Sequence, residues 1–221
     1  MHGNVTGHES AEWYAAYAAD SARRRVKMRD KLASVGLDRV SRDAAVLDLC
    51  CGHCESLDVL YEAGFRRLSG MDIHLDDAVR ADARFAVVEG DVESPPFARA
   101  SQDWILIVHA LHHLEGPEKI GRVLDRAYAM LRPGGRIGII DFTYNPVVLL
   151  ALRLFLVRPL LVTPYLRYFG SLVQEEWPQL SRYLPRIPSV LARLKNGQFD
   201  VETERHGLFY FSMTLRKRDE E

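Results

Sequence analysis

Aspartates close several short apolar segments in the first half of the chain. Asp48 ends AVLD, Asp72 ends GMD, and Asp91 follows VVEG. In an open parallel sheet the carboxyl ends of the strands share one edge, and ligands bind there. A carboxylate after a second strand can accept hydrogen bonds from two ribose hydroxyls. The spacing therefore predicts a nucleotide-type cofactor, with Asp72 on the sugar and Asp91 on the amino group of the base.

The turn Leu49–Cys54 follows the first of these segments and carries the sequence LCCGHC. A cofactor at such a turn needs close approach of the backbone and free N–H groups, which glycine usually provides. Only Gly52 is a glycine here. We expect the following residues to contact the cofactor: Tyr17, Asp48, Leu49, Cys50, Gly52, Asp72, Ile73, Asp91, Val92 and Val108.

Two residues at later strand ends could take up a proton during the reaction. His109 follows the fourth apolar segment, and its imidazole titrates near neutral pH. Asp141, with Tyr144 nearby, ends the fifth segment. We expect His109 and Asp141 to be catalytic, and the alternative for His109 is that it only packs against the cofactor.

The elements that must position these residues alternate between strand and helix over the first two thirds of the chain. Apolar runs without polar alternation, such as Ala44–Leu49 and the uninterrupted Trp104–Val108, are typical of strands buried on both faces. The pattern predicts a doubly wound α/β fold in a single domain. We divide it into an N-terminal helical cap (1–40), a cofactor-binding core (44–142), a helical insertion (145–196) and a closing β-hairpin (198–216). Arg136–Asp141 is expected to be the fifth strand.

These motifs together resemble the class I S-adenosylmethionine-dependent methyltransferases of the type 11 family. That family has an acidic-x-Gly-x-Gly-x-Gly turn, here Asp48–Cys54, and an acidic residue after strand two, here Asp72. It also has a Gly-Asp-hydrophobic step, Leu-His-His-Leu and Leu-x-Pro-Gly-Gly, here Gly90–Val92, Leu111–Leu114 and Leu131–Gly135. The resemblance implies a Rossmann-like, mostly parallel seven-stranded sheet with an antiparallel last strand. It also implies S-adenosylmethionine as the cofactor and methyl transfer as the reaction.

Cysteines replace two glycines of the family turn, at Cys50 and Cys54. A Cys-Cys-Gly turn resembles that of the C-methyltransferases of ubiquinone and menaquinone biosynthesis. A Cβ at either position restricts positive φ and close approach, so a non-catalytic cofactor-binding protein is an alternative. Cys51–Cys54 also reads CGHC, which leaves a thiol-disulfide oxidoreductase as a remote alternative and a Cys51–Cys54 redox switch as a subsidiary one. We expect no metal site, because structural zinc usually takes two separated ligand pairs.

The acceptor is constrained by the composition of the insertion. Leucine, valine, phenylalanine and tyrosine dominate residues 146–168, which suits a small lipophilic or aromatic acceptor methylated at carbon or oxygen. A helix pair that closes the domain, or a dimer face, would show the same composition. The basic run Arg23–Lys31 could contact a membrane surface, while an RNA or protein methyltransferase is a further alternative. The net charge of −1 and the lack of a secretory signal or an 18-residue apolar run predict a cytoplasmic protein without a broad nucleic-acid surface.

Overall fold

A computed structural model gives the fold of the chain. It describes residues 21–114, 116–147, 149–150, 153, 174, 177–195 and 197–218. Tyr17 and the first half of the predicted cap lie outside the described residues, as does half of the predicted insertion.

The described chain alternates strands and helices as far as the fifth strand and closes with a hairpin. The helices are α1 (Ser21–Ser34), α2 (Glu55–Glu62), α3 (Asp77–Arg80), α4 (Pro117–Met130) and α5 (Ile187–Lys195), and short 3-10 turns lie at Leu37–Arg39, Leu111–His113 and Leu184–Arg186. The strands are β1 (Ala45–Leu49), β2 (Arg67–Asp72), β3 (Ala86–Glu89), β4 (Gln102–Val108), β5 (Leu131–Phe142), β6 (Phe199–His206) and β7 (Tyr210–Lys217).

The strands form one seven-stranded sheet in the order β3-β2-β1-β4-β5-β7-β6. Strands β1 to β5 pair in parallel, whereas β7 runs antiparallel between β5 and β6. The order reverses between β1 and β4, and this reversal opens a crevice at the carboxyl ends of the strands. The predicted fold class, a doubly wound sheet with an antiparallel last strand, is confirmed.

Apolar side chains cover both faces of the central strands. On one face Leu47, Ile105 and Ile139 pack with the buried side of α4, including Val123. On the other, Val46, Leu106 and Ile140 pack with α1 and α2 through Met28, Leu32, Leu57 and Leu60. Successive residues of a strand point to opposite faces, so an uninterrupted apolar run supplies both cores at once. This is why β1 and β4 were recognisable from sequence.

Strand β5 is longer than the sequence predicted. It starts at Leu131 and not at Arg136, because Leu131 already pairs with Gln102 before the register shifts at Trp104. Gly134, with φ of 68°, lies within this irregular stretch. Within the described segments, none of the helices combines the length and the apolar character that a bilayer crossing requires.

Candidate active site

The turn between β1 and α2 has a left-handed backbone at every second residue. Cys50, Gly52 and Cys54 have φ angles of 66°, 48° and 59°. A residue with a Cβ pays about 1–2 kcal/mol in this conformation, whereas glycine does not. The three angles explain why a Gly-x-Gly-x-Gly pattern suits the turn. They also show that Cys50 and Cys54 adopt the backbone conformation that glycine would adopt there, and that their backbones are strained.

The turn is anchored on one side and open on the other. The Cys51 N–H donates to the Met71 carbonyl at 2.9 Å, and a Cβ built on Gly70 would come within 2.8 Å of Cys51 Sγ. Gly52 is exposed, and a Cβ built on it would meet no atom within 4 Å. Cys51 therefore fixes the turn to β2 while Gly52 faces open space at the carboxyl edge.

The thiols of Cys50 and Cys51 are held in their neutral form. Cys51 and Cys54 are buried and reduced, with their sulfurs 3.4 Å apart. The hydrogen bond with Cys54, together with burial, raises the pKa of the Cys51 thiol. Burial and the charge of Asp72 raise the pKa of the Cys50 thiol. Disulfide exchange needs an accessible thiolate, so this environment disfavours the oxidoreductase reading of CGHC.

Asp72 and Asp91 lie at the ends of adjacent parallel strands. Asp72 Oδ2 accepts the Gly52 N–H at 2.8 Å, and its Oδ1 accepts the His74 N–H at 3.2 Å. Each oxygen keeps a second lone pair for another donor. Asp91 is exposed, and its Oδ1 accepts the N–H of Glu93 at 2.9 Å. The Gly90 N–H donates to the Asp72 carbonyl at 2.8 Å, which ties the two strand ends together.

Asp48 lies under the turn, 2% exposed. Its Oδ2 accepts a hydrogen bond from the Ser56 hydroxyl, while its Oδ1 has no hydrogen-bond partner among the described residues. Burial raises the pKa of Asp48 to about 7, although the Ser56 hydrogen bond opposes the shift. The site thus contains a buried carboxyl group whose charge is not balanced by a neighbouring cation in the described part of the chain.

His109 lies on the far side of the site, directly after β4, and Lys31 of α1 contacts it. Lys31 Nζ is 2.7 Å from His109 Nε2 and 4.6 Å from the centre of the Tyr210 ring. The His109 ring lies 4.7 Å from the Tyr210 ring and 5.5 Å from the Phe142 ring. All four side chains are half-buried. They form a partly exposed cluster of one cation and three aromatic rings, hereafter the Lys31 cluster.

The Lys31 cluster shifts Lys31 and His109 towards their neutral forms. Loss of hydration lowers the pKa of Lys31 to about 8, against the attraction of Glu55. Loss of hydration and the charge of Lys31 lower the pKa of His109 to about 3. At neutral pH the ammonium of Lys31 donates to His109 Nε2, so the nitrogen that could accept a substrate proton is already engaged.

Asp141 is fully buried and faces the loop that follows β4. Its Oδ2 accepts the Leu111 N–H at 2.7 Å, and its Oδ1 lies 3.0 Å from His112 Nδ1 and accepts the Phe142 N–H at 2.7 Å. Burial opposes the charge, but the hydrogen bond and charge of His112 prevail and lower the pKa of Asp141. This geometry favours a positioning role for Asp141 over the proton transfer expected from sequence.

The other expected contacts fall at the same edge of the sheet. Ile73 is 67% exposed next to Asp72, Val108 is half-buried, and Val92 is buried behind Asp91. Lys31 was missed by the sequence analysis. The sequence signals only its partial burial, because Lys31 sits beside the apolar stripe of Met28, Leu32 and Val35 and not on the opposite face.

The basic run on α1 is paired in part with acidic residues of α2. Arg24 Nε lies 3.0 Å from Glu55, and Arg25 and Arg29 lie 2.5 Å and 3.7 Å from Glu62. Their charges help to hold α1 against α2. This pairing weakens the interpretation of the run as a docking surface for anionic lipid or RNA.

The residues present fit S-adenosylmethionine. Asp72 retains lone pairs for two hydroxyl donors, the exposed side chain of Ile73 offers an apolar surface to a base, and Gly52 leaves space above the turn. The unbalanced carboxyl group of Asp48 adds negative potential where a cationic ligand is expected. A nucleoside that carries positive charge agrees with each of these features.

Comparison with known proteins points the same way. A family model described as a methyltransferase domain matches residues 46–135, which run from β1 into the start of β5. A 2-phytyl-1,4-naphtoquinone methyltransferase of Thermosynechococcus vestitus is 26% identical over 167 residues, which cover 71% of this chain and 72% of that protein.

Solved structures share the fold at low identity. The 1,6-didemethyltoxoflavin-N1-methyltransferase of Burkholderia thailandensis, solved with S-adenosylhomocysteine and 1,6-didemethyltoxoflavin, superposes with a TM-score of 0.54 at 20% identity, covering 99% of this chain and 93% of that one. The geranyl diphosphate C-methyltransferase of Streptomyces coelicolor A3(2), solved with Mg²⁺, geranyl diphosphate and S-adenosylhomocysteine, has a TM-score of 0.58 at 11% identity and covers 97% and 86% of the two chains.

Proposed function

We propose that this chain, which belongs to the class I S-adenosylmethionine-dependent methyltransferases, methylates a small lipophilic acceptor that carries an aromatic or quinone-like ring. The observation that carries the proposal is the Lys31 cluster. It places the half-buried rings of His109, Phe142 and Tyr210 at the carboxyl ends of β4 and β5, beside the crevice that opens between β1 and β4. Aromatic side chains bind apolar rings through their area and through edge-to-face contact, worth about 0.5–1.5 kcal/mol per pair beyond burial.

The relative from Thermosynechococcus vestitus supports a ring-bearing acceptor, because its name gives a substituted naphthoquinone as its substrate. The two solved enzymes are named for 1,6-didemethyltoxoflavin and for geranyl diphosphate. Their acceptors differ from each other, so the fold leaves the acceptor open. The choice of a ring rests on the aromatic side chains of this chain.

When bound, S-adenosylmethionine supplies a methyl group that the positive sulfonium has already made electrophilic. The protein then has to bind the cofactor, align the acceptor and exclude water, and alignment alone can supply about 7–11 kcal/mol of the barrier. We assign Asp72 to the ribose hydroxyls and Asp91 to the base, with Asp48 as a source of negative potential. Asp141 holds Leu111 and His112 in place at the acceptor side.

Calorimetry with S-adenosylmethionine and with S-adenosylhomocysteine, under reducing conditions, tests the cofactor assignment. The wild-type chain is expected to bind both. Asp72→Asn is expected to weaken both by about 10–100-fold, because one carboxylate oxygen that accepts a charge-assisted hydrogen bond is lost. Asp125→Asn, an exposed carboxylate on α4, is the matched control and should leave affinity unchanged. The proposal would be abandoned if the wild-type chain bound neither compound at millimolar concentration.

Methyl transfer to a panel of acceptors tests the second half of the proposal. Radiolabelled methyl groups should be incorporated into small apolar hydroquinones or phenols, and not into RNA or protein of the same preparation. Incorporation into RNA alone would contradict the assignment of the acceptor class while leaving the cofactor assignment intact.

A further inference from the structure

Lys31 is a half-buried cation that has no acidic partner among the residues that the structure describes. Its Nζ contacts His109 Nε2 and the Tyr210 ring, and within the described segments no carboxylate oxygen lies within the 4.0 Å of an ion pair. The charged groups around it are Glu55 on α2, Lys27 on α1 and Asp141 on β5. Glu55 is engaged by Arg24 at 3.0 Å, and Asp141 by His112 at 3.0 Å. A buried charge without a counter-charge is costly, so the position calls for a function.

We propose that Lys31 binds the ionised hydroxyl of the acceptor, which makes a phenol- or enol-type ring the substrate class of this enzyme. This inference rests on the proposed function and narrows it. The oxyanion of such an acceptor would give Lys31 the missing negative partner, and the proton of the acceptor hydroxyl would be released to solvent. An ammonium-to-oxyanion hydrogen bond is about twice as strong as a neutral one.

The surroundings of Lys31 select a ring and not an aliphatic anion. Phe142 and Tyr210 lie 5.2 Å apart between ring centres, and Tyr210 presents its ring to Lys31 Nζ. An acceptor that occupies this cluster meets an ammonium and aromatic surfaces at once. A phenolate satisfies both requirements, whereas an aliphatic carboxylate satisfies only the first and an aliphatic alcohol neither.

His109 is the positioning residue for Lys31. Its backbone is left-handed, with φ of 52°, and its N–H donates to the Ile140 carbonyl at 2.7 Å, which fixes the ring over the end of β5. Its Nε2 accepts from Lys31, so its proton resides on Nδ1, a buried atom without a partner among the described residues. A neutral imidazole of this tautomer orients the ammonium without competing for the oxyanion.

The probe 4-nitrophenol tests the proposal, because its anion absorbs visible light and its methyl ether, 4-nitroanisole, cannot ionise. Both are titrated into the full-length protein saturated with S-adenosylhomocysteine. The wild-type protein is expected to lower the pKa of bound 4-nitrophenol by about one unit, a tenfold preference for the anion. Lys31→Met should abolish this preference, and Lys31→Arg should retain it. Lys27→Met, which removes an exposed lysine of the same helix, is the matched control and should leave the preference within about twofold.

The pH profile separates a direct role from a structural one. Binding of the anion requires protonated Lys31, so the wild-type preference should fall as the pH rises through about 8. Lys31→Arg should keep its preference above that pH, because arginine stays charged. An equal pKa of the bound probe in wild type and Lys31→Met, or equal affinity of the wild type for the phenol and the ether, would overturn the proposal. Binding of S-adenosylhomocysteine is measured in the same samples, and its absence would instead refute the proposed function.

Discussion

The carboxyl group of Asp48 should make the folded state less stable as the pH rises. It is 2% exposed, its Oδ1 has no partner among the described residues, and burial raises its pKa to about 7. In the unfolded chain the pKa of an aspartate is about 3.9. The unfolded state therefore gives up its proton at a lower pH than the folded state. Between these two values, folding requires Asp48 to take up a proton, and above both it requires burial of a charge.

The size of the effect follows from the two pKa values. Relative to a neutral side chain, the folded state loses about 1.5 kcal/mol at pH 5 and about 4 kcal/mol at pH 8, and the loss is complete above pH 7. Asp48→Asn keeps the shape of the side chain and an oxygen for the Ser56 hydroxyl. The variant should be more stable than wild type by these amounts. It should also bind S-adenosylmethionine more weakly, since the negative potential under the turn is removed.

Urea unfolding of the cofactor-free protein, followed by circular dichroism at pH 5, 6, 7 and 8, measures the difference. Asp125→Asn is the control and should shift the free energy of unfolding by less than about 0.5 kcal/mol at every pH. The reasoning about Asp48 would be refuted if Asp48→Asn were less stable than wild type at pH 8. A stability difference that stayed constant from pH 5 to 8 would refute it as well, because it would exclude titration in that range.

Three further variants test other parts of the site. Cys50→Gly should stabilise the fold by about 0.5 kcal/mol, because relief of the left-handed strain exceeds the entropic cost of fixing the glycine backbone. Cys50→Val should destabilise the fold by about 2 kcal/mol. Thermal unfolding measures both variants, and the reverse order of stability would contradict the strain assigned to Cys50. Asp141→Asn should lower the free energy of unfolding in urea by about 3 kcal/mol at pH 7, because the hydrogen bonds from Leu111 and His112 weaken. The difference in stability from wild type should close as the pH falls below about 3.9, since wild-type Asp141 then takes up a proton. A variant as stable as wild type at pH 7 would exclude the positioning role. Lys31→Met should be more stable than wild type by about 3 kcal/mol at pH 7 while losing methyl transfer. The advantage should shrink between pH 8 and about 10.4 as wild-type Lys31 loses its proton, and a gain that grew with pH would have the wrong sign.

The parallel core of the fold could be predicted because its signals are local. The runs Ala45–Leu49 and Trp104–Val108 are apolar at every position that a doubly covered strand buries, apart from Asp48. The early start of β5 could not be predicted, because Leu131 joins the sheet by pairing with Gln102. The Pro-Gly-Gly sequence that follows Leu131 is typical of a turn and not of a strand.

The cofactor side of the site was more predictable than the acceptor side. The positions of Asp72 and Asp91 could be predicted because each follows a strand that the sequence reveals. Their closeness to the turn after β1 then follows because the strands are neighbours in the sheet. Lys31 reaches His109 across 78 residues of sequence, and no local pattern records such a contact. The burial of Asp141 has a similar origin, since the loop that covers its carboxylate comes from the end of β4.

The position of β7 has a consequence for how the chain is made. The strand lies inside the sheet, where Tyr210–Arg216 pair with Arg136–Phe142 of β5 on one side and with β6 on the other. During synthesis on the ribosome, β5 emerges long before its partner and presents an open, largely apolar edge. Exposed edges of this kind promote aggregation. A chaperone would cover the edge during that interval and rapid translation of residues 143–217 would shorten it, whereas a stop codon before Tyr210 would leave the edge permanently uncovered.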